Sequence, residues 1–411
     1  MAMPFSSLAF LMLSIVFFQL AAGLQAVLVP VRAELEGFST QAIGLIGTSY
    51  YFGFVIGCVL VPAFVRRVGH IRAFAGLASL GAAGFLMHEL FLNVPVWLLL
   101  RALVGLCFSG LYVVIESWLN DRATPETRGR VLAAYVIICW FAMIGGQLLF
   151  MWSDPKSFQP FALITIGFCL AVAPVALTSG AAPKPPVQTR LGVRELYAIS
   201  PVGLVGCFFV GMANSAFWSL APIYAQSRGL SVSDIALFMG AAVLGGAISQ
   251  WPFGWWSDKM DRRRVIGIAC VAAVGVAAGL FLQRGSDELM ALVLALLFGL
   301  CALPLYSLCV AHANDKAPSG SFVEASSGLL MVFGFGAVAG PYLSALLMEI
   351  AGEPALFLFT GGAHMALAIF VLLRIAKGVP APKTEKPAFV AVPPTTQSVL
   401  PLAGEKAQAA R

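Results

Sequence analysis

The sequence predicts an all-α polytopic membrane protein whose twelve transmembrane helices form two six-helix bundles related by internal duplication. Three observations lead there. Of the 411 residues, 60% are hydrophobic and 11% charged, and the mean hydropathy is +0.90; a water-soluble chain of this length needs far more polar surface. The apolar residues gather into twelve segments, each near the roughly 20 residues that cross a bilayer as a helix. The chain also repeats itself. GLCFSGLYVVIESWLNDRA from Gly105 returns as GLCALPLYSLCVAHANDKA from Gly299, placing Gly105, Tyr112, Asn120 and Asp121 on Gly299, Tyr306, Asn314 and Asp315 at an offset of 194. VPVRAELEGFS from Val29 returns as APIYAQSRGLS from Ala221 at an offset of 192. Two near-equal offsets mean one unit of about 190 residues written twice.

Taken in order, the first segment (6–29) has no basic residue before its apolar run and no small-residue cleavage site, so it reads as an uncleaved helix. The turn-rich RAELEGFS separates it from 41–63, and the basic turn RRVGHIR leads into 72–92. Segments 95–118, 131–152 and 160–178 complete an N-terminal bundle, 1–178. The Pro-rich, positively charged SGAAPKPPVQTRLGVR reads as a linker, 179–198. Segments 199–224, 234–256, 264–283, 289–312, 324–348 and 355–374 form a C-terminal bundle, 199–376. After Lys377 the chain turns Pro-, Ala- and Lys-rich without periodicity, and 377–411 is expected to be a disordered tail. Gly and Pro inside the segments are tolerated because neighbouring helices pair the freed backbone groups and small residues let helices approach.

With both ends inside, twenty Lys and Arg fall in inner loops or the tail, against Arg32, Lys156, Arg228 and Arg284 outside. The positive-inside rule therefore places both termini in the cytoplasm of a bacterial inner membrane. The net charge of +6 is a topology signal, and nucleic acid is no expected partner. The eight cysteines lie in apolar spans without CxxC spacing, so they read as buried packing groups; no disulfide, metal or cofactor is expected.

Two six-helix halves in parallel duplication, with a basic loop after the second helix of each, resemble the major facilitator superfamily. GWWSDKMDRRR fits its cytoplasmic signature G-x-x-x-D-[RK]-x-G-R-[RK] at Gly254, Asp258, Lys259, Arg263 and Arg264, with Asp261 or Arg262 where the second glycine belongs. In the first half Pro62 and Arg66 replace the first Gly and the Asp, leaving Arg67 and Gly69. The resemblance implies a latch on the outward-open state that depends mainly on the second half. VVIESWLN, RGRVLAAY, GGQLL, SQWPFGWWSDK and GPYLSALLM are similar to the YcaD-like branch of bacterial transporters over most of residues 8–375, a likeness that brings no substrate.

Glu116, the one acidic side chain deep in an apolar segment, faces Val310 in the repeat. A charge within a span costs roughly 2.5–3.5 kcal/mol on insertion scales and so turns to the bundle interior. Gly105, Ser109, Tyr112 and Glu116 share one helical stripe. Two roles stand open: a proton-coupling carboxyl, or a gate paired with Arg128 or Arg130. Arg101 lies about 22 Å along the helix from Glu116, too far to pair; an anionic substrate, Glu89, helix-end carbonyls or snorkelling to the outer face are its alternatives. RALVGLCFSG resembles the R-x-x-x-G-x-x-x-x-G of proton-linked members, which implies that Arg101 aids proton transfer. Of the antiporter motif G-x-x-x-G-P, the fifth segment keeps only Gly146, with Gln147 in the proline place, whereas Gly336, Gly340 and Pro341 carry it intact in the eleventh. Gln147, Asn214, Trp218, Gln250, Gln25 and Tyr112 are candidate cavity contacts; Gln147 reads as a polar contact rather than a hinge, and the Asn214 and Trp218 pair is equally readable as helix packing. His312 is expected in a gate or at the surface.

No nucleotide-binding loop, metal spacing or nucleophile constellation is present, so an enzyme is not expected. The expected function is secondary active transport of a small molecule by a monomer, as proton-coupled export of an amphipathic or aromatic compound. Uptake of a small organic anion held by Arg101 is the alternative, and a non-transporting membrane sensor or scaffold is the alternative from another class.

Overall fold

The computed structural model describes residues 5–123, 127–177, 191–285, 287–318, 321–378, 389 and 391. Among them there is no strand. The first half comprises α1 (Phe5–Leu35), α2 (Thr40–Val68), α3 (His70–Leu90), α4 (Val94–Arg122), α5 (Arg128–Leu149) with a 3-10 turn at Phe150–Trp152, and α6 (Gln159–Ala176). A short α7 (Val193–Ile199) stands in the described part of the expected linker. The second half follows as α8 (Pro201–Ser227), α9 (Val232–Lys259), α10 (Arg262–Leu282), α11 (Glu288–Ala302), α12 (Leu305–Asn314), α13 (Phe322–Ala351) and α14 (Ala355–Lys377). Counting α11 and α12 as one, twelve helices are long and apolar enough to span a membrane.

The sequence locates every span but misplaces two details. The first helix does not stop at residue 29: it runs through Pro30 to Leu35, so Arg32, expected in an outer loop, lies in the helix and is 3% exposed. Its Nη2 meets Glu89 at 3.1 Å, its Nε meets Glu36 at 2.7 Å, and its Nη1 donates to the Pro155 carbonyl at 2.9 Å. Three acceptors compensate the buried charge. The tenth span is broken after Ala302 and restarts behind Pro304, which has no N–H to continue the ladder. The cysteines are buried as expected except Cys169, which is exposed on the bundle exterior.

The duplication is visible in the packing. Within the halves α4 lies on α2 and α11 on α9, and both crossings are drawn together by glycine. A Cβ on Gly105 would stand 1.9 Å from the Tyr50 carbonyl oxygen, and one on Gly299 would stand 1.8 Å from that of Ala242. Gly53 and Gly245 meet the carbonyls of Ala102 and Leu296 in the same way. Without a hydrophobic force between helices in lipid, such close backbone contact is what holds them. Gly146, Gly336 and Gly340 make the equivalent approaches to Leu20, Phe208 and Met212. Between the halves α2 packs on α13 and α5 on α9, with Thr48 Oγ1 donating to the Val338 carbonyl at 2.9 Å and Pro341 set against Gly47.

Candidate substrate cavity

Where the halves meet they enclose a cavity of about 200 Å³. The first half contributes Gln19, Gln25, Tyr50, Tyr51, Arg101 and Tyr112 to its wall, and the second contributes Asn214, Trp218, Ser219, Leu303 and Phe333. Arg101 is the only charged group in this lining; no carboxylate faces the cavity.

Arg101 is buried on α4, seven residues from Val94. Its Nη1 donates to Gln25 Oε1 at 2.8 Å, and its Cζ stands 4.5 Å from the centroid of the Tyr50 ring, an attraction between the cation and the ring face. Nε has no partner. The described ion pairs join Arg32 to Glu36 and Glu89, Arg262 to Asp258 and Asp315, and Arg263 to Asp261; among the described residues none joins Arg101. Glu89, one of its expected partners, is held by Arg32, and Arg101 does not snorkel outward because Gln25 and Tyr50 hold its head against the cavity.

Glu116 is 4% exposed and accepts a long hydrogen bond, 3.4 Å, from the Tyr135 hydroxyl. Tyr112, one turn before it, donates to Gln19 Oε1 at 2.8 Å and lines the cavity, whereas Glu116 lies beyond the wall. Of the expected stripe, Gly105 packs on α2 and Ser109 donates back to the Leu106 carbonyl. Arg130 is exposed; the side chain of Arg128 lies outside the described residues.

At the face where α9 turns into α10, the signature residues form a charge cluster. Arg262, 1% exposed, pairs with Asp315 at 2.8 Å and Asp258 at 3.1 Å and donates to Ser257 Oγ. Arg263 grips Asp261 at 2.8 Å and donates to the carbonyls of Arg374 and Gly378. Burial pushes the Asp261 carboxyl up, but its hydrogen bonds from Arg263 outweigh that and hold it below the usual carboxylate range. Lys259 stacks over Trp255 at 3.6 Å, and Arg264 is exposed. Phe389, from the expected tail, donates its N–H to Asp258 Oδ1 at 3.0 Å, and its ring lies over Gly254; beyond Gly378, the tail otherwise lies outside the described residues except Ala391. In the first half, His70 occupies the place of Arg262 at the repeat offset of 192 and meets Ser117 Oγ at 2.9 Å. Arg67 is exposed, and Gly69 turns the chain at φ 84°, a conformation that favours glycine.

The structure thus brings Arg101, Gln25, Tyr112, Asn214 and Trp218 to one cavity and leaves two expected contacts outside its lining. Gln147 is fully buried between α5 and α9, against Gly240, with neither amide atom partnered. Gln250 stands beside the lipid-facing Trp251, 78% exposed. His312, expected in a gate or at the surface, is buried at 4% exposure. The aromatic wall of Tyr50, Tyr51, Phe108 and Phe333 and the Arg262–Asp315 pair were missed in the sequence. Asp315 had a signal, its repeat partner Asp121; the aromatic residues had none.

Twelve helices in duplicated halves around a central cavity define a secondary transporter, and the chain belongs to the Major Facilitator Superfamily, whose model matches residues 11–320 and again 203–404. Within that family it is similar to the uncharacterized MFS-type transporter YcaD: 26% identical over 353 residues in Escherichia fergusonii, covering 85% of this chain and 91% of the relative, and 28% over 359 residues in Escherichia coli O45:K1, covering 86% and 92%. Among solved structures it superposes on the nucleoside transporter NupG with a TM-score of 0.74 at 14% identity, over 90% of this chain and 99% of that one. It also superposes on a bacterial homolog of the human lysosomal transporter Spinster, inward-facing and occupied, at 0.70 and 15% identity, over 91% and 96%. At such identities the likeness speaks to the fold.

Proposed function

We propose that this transporter carries small organic anions with an aromatic or otherwise apolar body, and that Arg101 binds the anionic group. One observation supports this above the others: the guanidinium is buried on the cavity wall with an amide and an aromatic face as company and no carboxylate. A buried cation is strongly disfavoured without a compensating charge, and a monoanionic substrate supplies it. The wall of Tyr50, Tyr51, Trp140 and Trp218 suits a flat apolar body. The anion held by Arg101 is the alternative reading of the sequence, and the aromatic body comes from its first reading.

Proton coupling through Glu116 is a second reading, favoured by its burial and its bond from Tyr135, one helix away from the cavity tyrosine Tyr112. In this reading the halves 1–178 and 199–376 rock about the cavity, in a bacterial inner membrane with both termini cytoplasmic.

The test is ligand-dependent thermal stabilisation of the purified chain by aromatic carboxylates, their neutral amides and aromatic amines, at pH 5.5 and 7.5. Carboxylates are expected to stabilise the wild type, Arg101→Ala to abolish the effect, and Glu116→Gln to bind without the pH dependence. Equal stabilisation by the neutral amides would overturn the anion reading, and a pH dependence surviving in Glu116→Gln would overturn the coupling role.

A further inference from the structure

We infer that Asn214 is the second recognition point of the cavity and that the transported anion bears a neutral hydrogen-bonding group, a hydroxyl or an amino group on the ring, at the end of the molecule remote from Arg101. This deepens the anion reading and rests on it for the identity of the first end.

Asn214 lies at the middle of α8, thirteen residues from either end of a 27-residue helix, and so at mid-membrane depth. It is 2% exposed, lines the cavity, and its Oδ1 has no hydrogen-bond partner. The helix satisfies its own backbone at this depth, so the side-chain amide is the polar group left over. A buried amide oxygen without a partner is costly, and at a cavity wall the natural compensation is a group on the ligand. Its placement is one-sided. At the repeat offset of 192 the equivalent residue is Ala22, which lines the same cavity and offers no polar atom beyond the backbone. Trp218, one turn along from Asn214, also faces the cavity, so the second half presents an indole and an amide in succession. The first half presents a guanidinium beside a phenol ring.

The two walls together define a chemical class. One cation and no carboxylate in the lining disfavour a zwitterion, whose carboxylate would take Arg101 while its ammonium group found no counter-charge. They also exclude a polyanion, whose second charge would find no cation. What fits is a monoanion with a flat aromatic middle and a neutral donor or acceptor at the far end, namely a hydroxyaryl or aminoaryl carboxylate. The amide of Asn214 takes either polarity, its oxygen from a donor or its nitrogen to an acceptor.

The experiment measures dissociation constants by titration calorimetry on the full chain for two matched pairs. The first pair is 3-phenylpropanoate and 3-(4-hydroxyphenyl)propanoate, and the second is the neutral amides of the same two acids; tyramine and tyrosine serve as cationic and zwitterionic controls. A neutral hydrogen bond of ordinary strength predicts that the ring hydroxyl tightens binding about three- to tenfold in the wild type. In Asn214→Leu and in Asn214→Ala that ratio is expected to fall to about one, and two variants of different volume guard against a misfolded one. A hydroxyl advantage that survives in both variants, or tyrosine binding as tightly as the hydroxy acid, would overturn the inference. If Arg101 is not the anion site, the amides bind as well as the acids; the hydroxyl ratio within the amide pair and its loss in the Asn214 variants then still decide the role of Asn214 separately.

Discussion

Gln147→Met replaces a fully buried amide by a side chain of matching length with no group that must be hydrogen-bonded. The native amide sits between α5 of one half and α9 of the other, 3.8 Å from where a Cβ on Gly240 would stand, with neither polar atom partnered. Each buried unpaired group costs about 1–3 kcal/mol, so the pair destabilises this packing by about 2–6 kcal/mol; a volume-conserving exchange gives back less than about 1.5 kcal/mol in imperfect fit. The net expectation is that methionine strengthens the α5–α9 contact by at least about 0.5 kcal/mol, which is about a twofold shift toward the packed arrangement. On this reasoning the unpartnered amide weakens the contact between the two halves. Thermal unfolding in detergent should show a raised midpoint, and amide hydrogen exchange should slow along the facing stretches of α5 and α9. An unchanged or lowered midpoint with unchanged exchange would refute the reasoning, since the amide would then already be satisfied in the packed interface.

Gly105→Ala and Gly299→Ala each push a methyl group to within 2 Å of a carbonyl oxygen and should destabilise by about 1–3 kcal/mol or more. Gly275→Ala, with nothing within 4 Å of its new carbon, should gain up to about 1 kcal/mol in the same unfolding assay. Asp315→Asn leaves the buried Arg262 short of its closest counter-charge and should cost about 3–5 kcal/mol. Asp258→Asn, on the partly exposed side of that cluster at 39% side-chain exposure, should cost no more than about 1 kcal/mol. Asp261 has a folded pKa below its ordinary 3.8, so its contribution is complete above pH 3.8 and is lost as pH falls through the lower folded value. The midpoint difference between wild type and Asp261→Asn should accordingly be constant at neutral pH and close below that value; a gap that widens on acidification would contradict the Arg263 pairing.

The fold was legible because the signals that specify it are one-dimensional: the length of apolar runs, the basic turns between them and the repeat spacing. The interior of the bundle was much less so. In a soluble helix the polar face marks the outside, but lipid is as apolar as a protein core, so nothing in the runs around Tyr50, Phe108 or Phe333 distinguishes a cavity wall from a lipid-facing stripe. Polar residues were therefore the readable ones, and even these divided. Gln25, Tyr112 and Asn214 reached the cavity, whereas Gln147 and Gln250 did not, because helical phase alone does not say which neighbour a face meets. Arg32 was misread because RAELEGFS reads as a turn-rich loop; its partners Glu89 and the Pro155 carbonyl come from parts of the chain that only the tertiary fold brings near.

The repeat also bears on how such a cavity comes to exist. Two separate copies of a six-helix half, assembled about a twofold axis, would present every lining residue twice, and an arginine at the Arg101 position would face its own image across the space. In the fused chain the image positions are free to differ: Ala295 stands opposite Arg101 at the 194-residue offset, Val310 opposite Glu116, and Ala22 opposite Asn214 at 192. The glycine crossings remain in both copies, holding the scaffold symmetric while the chemistry is not. Joining the halves in one polypeptide thus lets the two walls of the cavity differ, whereas identical halves assembled about the twofold axis would line it symmetrically.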